Sequence, residues 1–283
     1  MSSAARSREN VAFFILFLSA VIVILPVGMV VAVIVRNGFA AITWEFLTAM
    51  PKAGMREGGI LPAIVGTFYL VFGAVLFALP LGLAAAIYLS EYARDNGLSR
   101  VIRLSIVNLA GVPSVVFGLF GLALFVGFFR LGTSILAGSL TLGVMILPVI
   151  ITSSREALES VPKSFREVSL SLGATKLQTI RYSVLPHALP GILTGTILGV
   201  GRAAGETAPI LFTVAAFYLP RLPHSPLDQV MALPYHLYVL STQVPNVELK
   251  IRYGTALVLL AIVMIMNVIA VTIRSHFRKK KKW

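Results

Sequence analysis

The sequence contains no cysteine, which excludes disulfides and thiol chemistry. Charge is nearly as scarce. Only 12% of residues are Asp, Glu, Lys or Arg, while 57% are hydrophobic. That is about half the charged share of an ordinary soluble domain. A bilayer is therefore a simpler solvent for this chain than water. Acidic residues are the scarcer sign, 11 against 24 Lys and Arg, for a net charge of +13. On a soluble protein that excess would suggest nucleic acid. On a membrane protein it reflects topology, because cations collect in cytoplasmic loops, so no nucleic-acid partner is expected. The four histidines, His187, His224, His236 and His276, are scattered without metal spacing. No metal site is expected, and a membrane enzyme is a poor fit. A phosphate-cradling Gly-x-x-x-x-Gly-Lys-Ser/Thr loop is also missing. The nearest string, GFFRLGTS at 127–134, has Thr133 where the lysine must be, so the chain is not expected to hydrolyse ATP.

What is present is apolar length. A spanning helix needs roughly 20 mostly apolar residues. Six stretches qualify, at about 11–35, 60–89, 104–129, 135–152, 188–219 and 254–273. The first is longer than a signal-peptide core and lacks a clean cleavage site, so it reads as a retained helix. Pro26, Pro80, Pro113, Pro148 and Pro209 each remove one backbone bond within these stretches. With the N-terminus inside, the cytoplasmic side collects Arg6, Arg8, Arg94, Arg100, Arg103, Arg155, Lys163, Arg166, Lys176, Arg181, Arg274 and the RKKKK run at 278–282. The outer side holds fewer cations, including Arg36, Lys52, Arg56 and Arg130. The asymmetry predicts both termini in the cytoplasm, with the tail anchored on anionic membrane lipid. The expected architecture is an all-α integral membrane protein of six transmembrane helices. It divides into an N-terminal helix and first outer loop (1–59), a transmembrane domain (60–275) containing a cytoplasmic loop at 153–187, and a basic tail (276–283).

That loop is patterned. Pro162 suits a first helical turn, Phe165, Val168 and Leu172 follow at helical spacing, and Gly173 marks a stop. Thr175 and Gln178 then form a capping-box pattern that opens a second helix, expected to end at Pro186. Two readings stand side by side: a helix lying on lipid, or one docking into a groove on a cytoplasmic protein. The outer segment LDQVMALPYHLYVLS likewise fits either the membrane interface or a soluble partner.

The fifth stretch carries Arg202 and Glu206 four residues apart. On a helical wheel they share an arc of roughly 80° with Gly191, Gly195, Gly199 and Pro209. Gly201 and Gly205 widen that side. Leu193, Ile197, Val200, Ala204 and Leu211 lie opposite. Small residues four apart let another backbone approach closely, so Gly191, Gly195 and Gly199 are helix-packing candidates. Each ion at a helix centre costs about 2.5–3.5 kcal/mol. Pairing lowers that cost without explaining the charges, which points to function or to an interhelical lock. Pro209 frees the carbonyl of Gly205 and predicts a kink beside Glu206. Gly205, Glu206, Thr207, Pro209 and Arg202 are thus candidates for a substrate pathway or gate.

Two of these segments resemble a known family. Glu167, Gly173, Leu185 and Pro186 match the EAA loop of ABC importer permeases in spacing. Val168, Ser169 and Ser183 depart from it. GRAAGETAPILFT at 201–213, with GGILPAIVGT at 58–67, resembles the phosphate-specific permeases, in particular their A subunits. The resemblance implies the type I ABC importer (MetI-like) transmembrane fold in the cytoplasmic (inner) membrane of a prokaryote, multi-pass. It implies a non-catalytic permease subunit that works with a homologous second permease, an ATPase subunit dimer and an extracytoplasmic phosphate-binding protein. Inorganic phosphate is then the substrate. The chain needs no cofactor of its own, while ATP and Mg are used by the ATPase. Coupling would fall on residues 162–181, with Phe165, Glu167, Leu172, Gly173 and Ala174 as contacts. Arg202 would offer a positive field to phosphate and Glu206 would hold it in place otherwise. The competing expectations are a permease for another oxyanion or solute, and a secondary transporter. The second is disfavoured because Glu206 is the only intramembrane carboxylate and no inverted repeat is visible.

Overall fold

The computed structural model describes residues 3–279, with side chains from 12 to 276. The side chains of Arg6, Arg8 and the basic tail at 278–282 lie outside the described residues. Twelve α-helices are found there: α1 (Ser3–Gly38), α2 (Trp44–Thr48), α3 (Leu61–Ile87), α4 (Gly97–Ala110), α5 (Ser114–Gly121), α6 (Ile135–Glu159), α7 (Lys163–Ser171), α8 (Lys176–Gln178), α9 (Leu185–Gly205), α10 (Ala208–Thr213), α11 (Leu233–Thr242) and α12 (Leu249–Lys279). Five helical runs are long and apolar enough to cross a membrane: Ala12–Ala41, Leu61–Tyr92, Ile135–Glu159, Lys176–Gly205 and Leu249–His276. A bent pair, Gly97–Ala110 and Ser114–Phe128, meets at 103° and makes six when the two arms are taken as one span.

That bend corrects the expectation of one helix over 104–129. Pro113 cannot donate to the preceding turn and biases Val112 away from helical geometry. The chain therefore stops at Gly111 and restarts at Ser114 in a new direction. Pro26, Pro80 and Pro148 sit inside unbroken helices instead.

α6 is the axis of the fold. Two thirds of its span (67%) is buried within this chain, against none of α1. Ser134 caps its start, accepting from the Ala137 N–H at 3.2 Å. Small residues set its distance to α3. A Cβ on Gly143 would lie 2.6 Å from Phe77 Cδ1, and one on Gly82 would lie 2.7 Å from Ile150 Cγ2. Leu70, Leu142, Met145, Ile146, Ile150 and Ile210 fill the interior between α3, α6 and α10. A second, smaller core of Ala86, Leu158, Val161, Val184, Ala188 and Ile192 closes the end nearest α7.

At the opposite end, two short strands, β1 (Pro51–Lys52) and β2 (Glu57–Gly58), form a hairpin. The segment expected at an interface or on a partner instead packs inward. Tyr235 and His236 on α11 are buried, and the Leu233 N–H donates to Thr67 Oγ1 on α3 at 2.9 Å. Gly66 permits this approach, because a Cβ there would meet Met231 O at 2.0 Å.

Candidate functional site

The fifth crossing does not run to residue 219. α9 stops at Gly205, Glu206 is extended (φ −80°, ψ 134°), and α10 starts at Ala208. Pro209 occupies the first turn of α10, where a missing N–H costs nothing. In a continuous helix its ring would strike the Gly205 carbonyl, so the helix ends before that clash arises. The feature is a break, not a kink. Glu206 consequently leaves the helical wheel that grouped it with Arg202.

The two side chains still meet. Arg202 Nε lies 3.6 Å from Glu206 Oε1, with the side chains 31% and 20% exposed. Arg202 sits in the last turn of α9, where the helix dipole favours a cation. Gly205 is exposed and Thr207 half-buried. A Cβ on Gly205 would meet nothing within 4 Å. The break therefore borders open space, with an ion pair on its rim. α5 supports the far side: a Cβ on Gly118 would lie 3.0 Å from Ala208 O and 3.1 Å from Pro209 Cα.

The glycine stripe faces α6. A Cβ on Gly191 would lie 2.4 Å from Ala157 Cβ, and one on Gly195 would lie 2.4 Å from Ser153 Cβ. Gly199 is looser, with Ile146 Cβ at 3.5 Å. On the opposite, aliphatic side, Ala204 is buried against this chain. One further contact escaped the sequence reading. Gly201 abuts Asn267 of α12, whose Oδ1 lies 3.3 Å from where a Cβ would stand. An amide inside an otherwise apolar run was the available signal.

The loop between α6 and α9 forms the second candidate surface. Gly173 adopts φ +84°, a conformation glycine takes at no steric cost, between α7 and α8. Thr175 and Gln178 form the capping box that their spacing predicts. The second helix does not end at Pro186, however. A π-helical segment over 179–184 carries it into α9, and the Leu185 N–H reaches back to Ile180 O. The wider turn shifts the ladder just before a proline that has no donor to contribute. Phe165 is half-buried, with its ring 4.6 Å from that of His187. Glu167 is exposed and Ala174 half-buried. Val168, Leu172 and Leu177 are 60%, 83% and 68% exposed, so α7 and α8 present an apolar surface that the described residues do not cover.

The same helix, α7, carries an ion pair the sequence did not suggest. Arg166 Nη2 donates to Glu91 Oε1 at 2.6 Å and to Leu158 O at 2.9 Å; Arg166 Nη1 donates to Val161 O at 2.8 Å. The partners are 75 residues apart, beyond any local pattern. Among the described residues, no group of three potential metal ligands forms.

Residues 78–283 match the family described as binding-protein-dependent transport system inner membrane component. The chain belongs to that family. Among its relatives, the probable ABC transporter permease protein YqgI of Bacillus subtilis is 34% identical over 276 residues, covering 93% of each chain. The probable phosphate transport system permease protein PstA of Methanocaldococcus jannaschii is 35% identical over 257 residues, covering 90% of this chain and 89% of that one. The solved structures show the same fold. A bacterial ABC transporter involved in alginate import aligns over 96% of both chains at TM-score 0.65 and 14% identity. The methionine ABC transporter MetNI, in an inward-facing conformation, covers 77% of this chain at TM-score 0.60 and 15% identity. As a member of this inner-membrane-component family, the chain is an all-α, multi-pass membrane protein with the type I ABC importer permease fold.

Proposed function

We propose that this chain is the membrane-spanning permease subunit of an ATP-driven importer of inorganic phosphate. The observation that carries the proposal is the Arg202–Glu206 pair on the rim of the α9–α10 break. A guanidinium fork matches phosphate geometry better than an ammonium does. Relatives named as phosphate transport system permeases support the choice of cargo. In this reading residues 60–275 form the transporting unit, both termini are cytoplasmic, and the membrane is the inner membrane of a prokaryote. A homologous second permease completes the path, and an extracytoplasmic binding protein delivers phosphate. A separate ATPase dimer docks on the apolar face of α7 and α8, contacting Phe165, Glu167, Leu172, Gly173 and Ala174, and consumes the ATP and Mg. Glu206 holds Arg202 while phosphate is absent, and phosphate takes its place during passage.

The test is vanadate-sensitive phosphate uptake into liposomes containing the assembled complex. Arg202→Gln and Glu206→Gln are each expected to abolish most uptake at equal expression, and excess sulfate should not compete. Normal uptake in both variants would sink the assignment. Restoration by exchanging the two residues would mean that the pair is a lock and not a phosphate ligand.

A further inference from the structure

α7 is poorly rooted. None of its residues is buried, and its principal neighbour is the π-helical segment at 179–184. A force applied to its exposed apolar face needs a stiff route into the spans. Hydrogen bonds from Ser183 Oγ to Phe165 O, at 3.1 Å, and between Ser169 and Thr179 tie α7 to the segment that follows it. Arg166 does something different. Its guanidinium grips the carboxylate of Glu91 at the end of the α3 crossing, with Nε 3.2 Å from both oxygens and Nη2 at 2.6 Å. It also takes the carbonyls of Leu158 and Val161 at the end of α6.

One planar fork thus binds three elements. The Glu91 side chain is only 8% exposed, and that of Arg166 only 20%. A short, shielded, charge-assisted pair is far less screened than a surface one. Glu91 is placed by a π-helical turn, Tyr88–Tyr92, of the kind that recurs at functional positions. α3 and α6 in turn pack tightly on each other, and α6 packs through Gly191 and Gly195 on α9, which carries Arg202 in its last turn and ends at the break.

We infer that Arg166 and Glu91 are positioning residues that lock α7 rigidly to the ends of α3 and α6, so that movement of α7 is delivered to the spans as one body. The inference rests on the coupling role proposed above for α7. Arg166 cannot be replaced by Lys in this reading, because an ammonium lacks the planar fork that serves a carboxylate and two carbonyls together.

Because the sequence has no cysteine, two can be introduced for spin labels. Glu156→Cys on α6 and Ser171→Cys on α7 are both exposed sites. In the assembled complex the distance between these labels should stay constant when ATP is added. In Glu91→Gln and in Arg166→Lys it should shift or broaden with ATP, while the ATPase still co-purifies and hydrolyses ATP within about twofold of the wild-type rate. Phosphate moved per ATP hydrolysed should fall at least tenfold in both. A distance that stays fixed in the variants, or one that already changes in the wild type, overturns the joint. So does an unchanged ratio of transport to hydrolysis. A wild-type complex that takes up no phosphate while the label distances behave as expected would instead overturn the choice of cargo and leave the joint standing.

Discussion

Replacing Gly195 by Ala adds one methyl group, and its effect can be worked from the contact with α6. The new Cβ would lie 2.4 Å from Ser153 Cβ and 2.9 Å from Ser153 Oγ. Carbon atoms rest at about 3.5–4.0 Å, so the two helices must part by roughly 1–1.5 Å. α6 has no room to retreat, since Gly82 and Gly143 mark equally close contacts on its α3 side. Overpacking of this kind costs about 1–3 kcal/mol. Intrinsic propensity acts in the opposite direction, because Ala stabilises a helix over Gly by roughly 0.5–1 kcal/mol. The sign of the result therefore separates packing from propensity. The assay is the thermal unfolding midpoint of the purified protein in detergent, with uptake measured in parallel. Gly195→Ala should unfold earlier and transport less. Ser153→Gly in the same chain should recover most of the loss by removing the opposing atoms. Gly28→Ala on α1, where a Cβ would meet nothing within 4 Å, should leave the midpoint unchanged or slightly raised. A Gly195→Ala protein with the wild-type midpoint, or one that Ser153→Gly does not rescue, would refute the reasoning.

Two further outcomes are expected. Burial pushes His236, outside the spans on α11, down to about 4. Its folded-state value thus lies below the ordinary 6.5, so the stability it contributes is full above 6.5 and is lost as the pH falls towards 4. The loss is about 2 kcal/mol at pH 5. His236→Phe should flatten that acid dependence, and equal acid sensitivity in both proteins would contradict it. Gly118→Ala should press on Ala208 O and Pro209 Cα, destabilise the α5–α10 contact by about 1–3 kcal/mol, and lower uptake without preventing membrane insertion. Uptake and midpoint both at wild-type level would show that the break tolerates movement of α10.

Hydropathy located the five unbroken spans and the bent pair, but not the bend. The apolar run at 104–129 is continuous, so the 103° turn is invisible to any window average. Its signal was Gly111 and Pro113 together, where two poor helix residues flank Val112. The fifth run was read through Pro209 because the residues beyond it stay apolar to 219. The steric rule that places the last helical residue before Gly205's carbonyl is blocked was the better guide. The turn at Gly173 and the cap at Thr175 were legible because each depends on neighbours within four residues. The Arg166–Glu91 pair was not, since its partners belong to segments that only the tertiary fold brings together.

The contrast between α1 and α6 has a consequence for how the chain tolerates change. Along α1, Phe13 to Val33 are mostly half or more exposed, and within this chain the helix meets α12 and the turn at Phe39–Ala41. The rest of the chain asks of those positions only length and apolarity, which many residue combinations satisfy equally. Along the buried two thirds of α6, positions are constrained by volume, down to whether a Cβ is present on the helix facing them. The specification of this fold is therefore concentrated unevenly: α6 and the glycines around it carry most of the letters that cannot be exchanged, and α1 carries few.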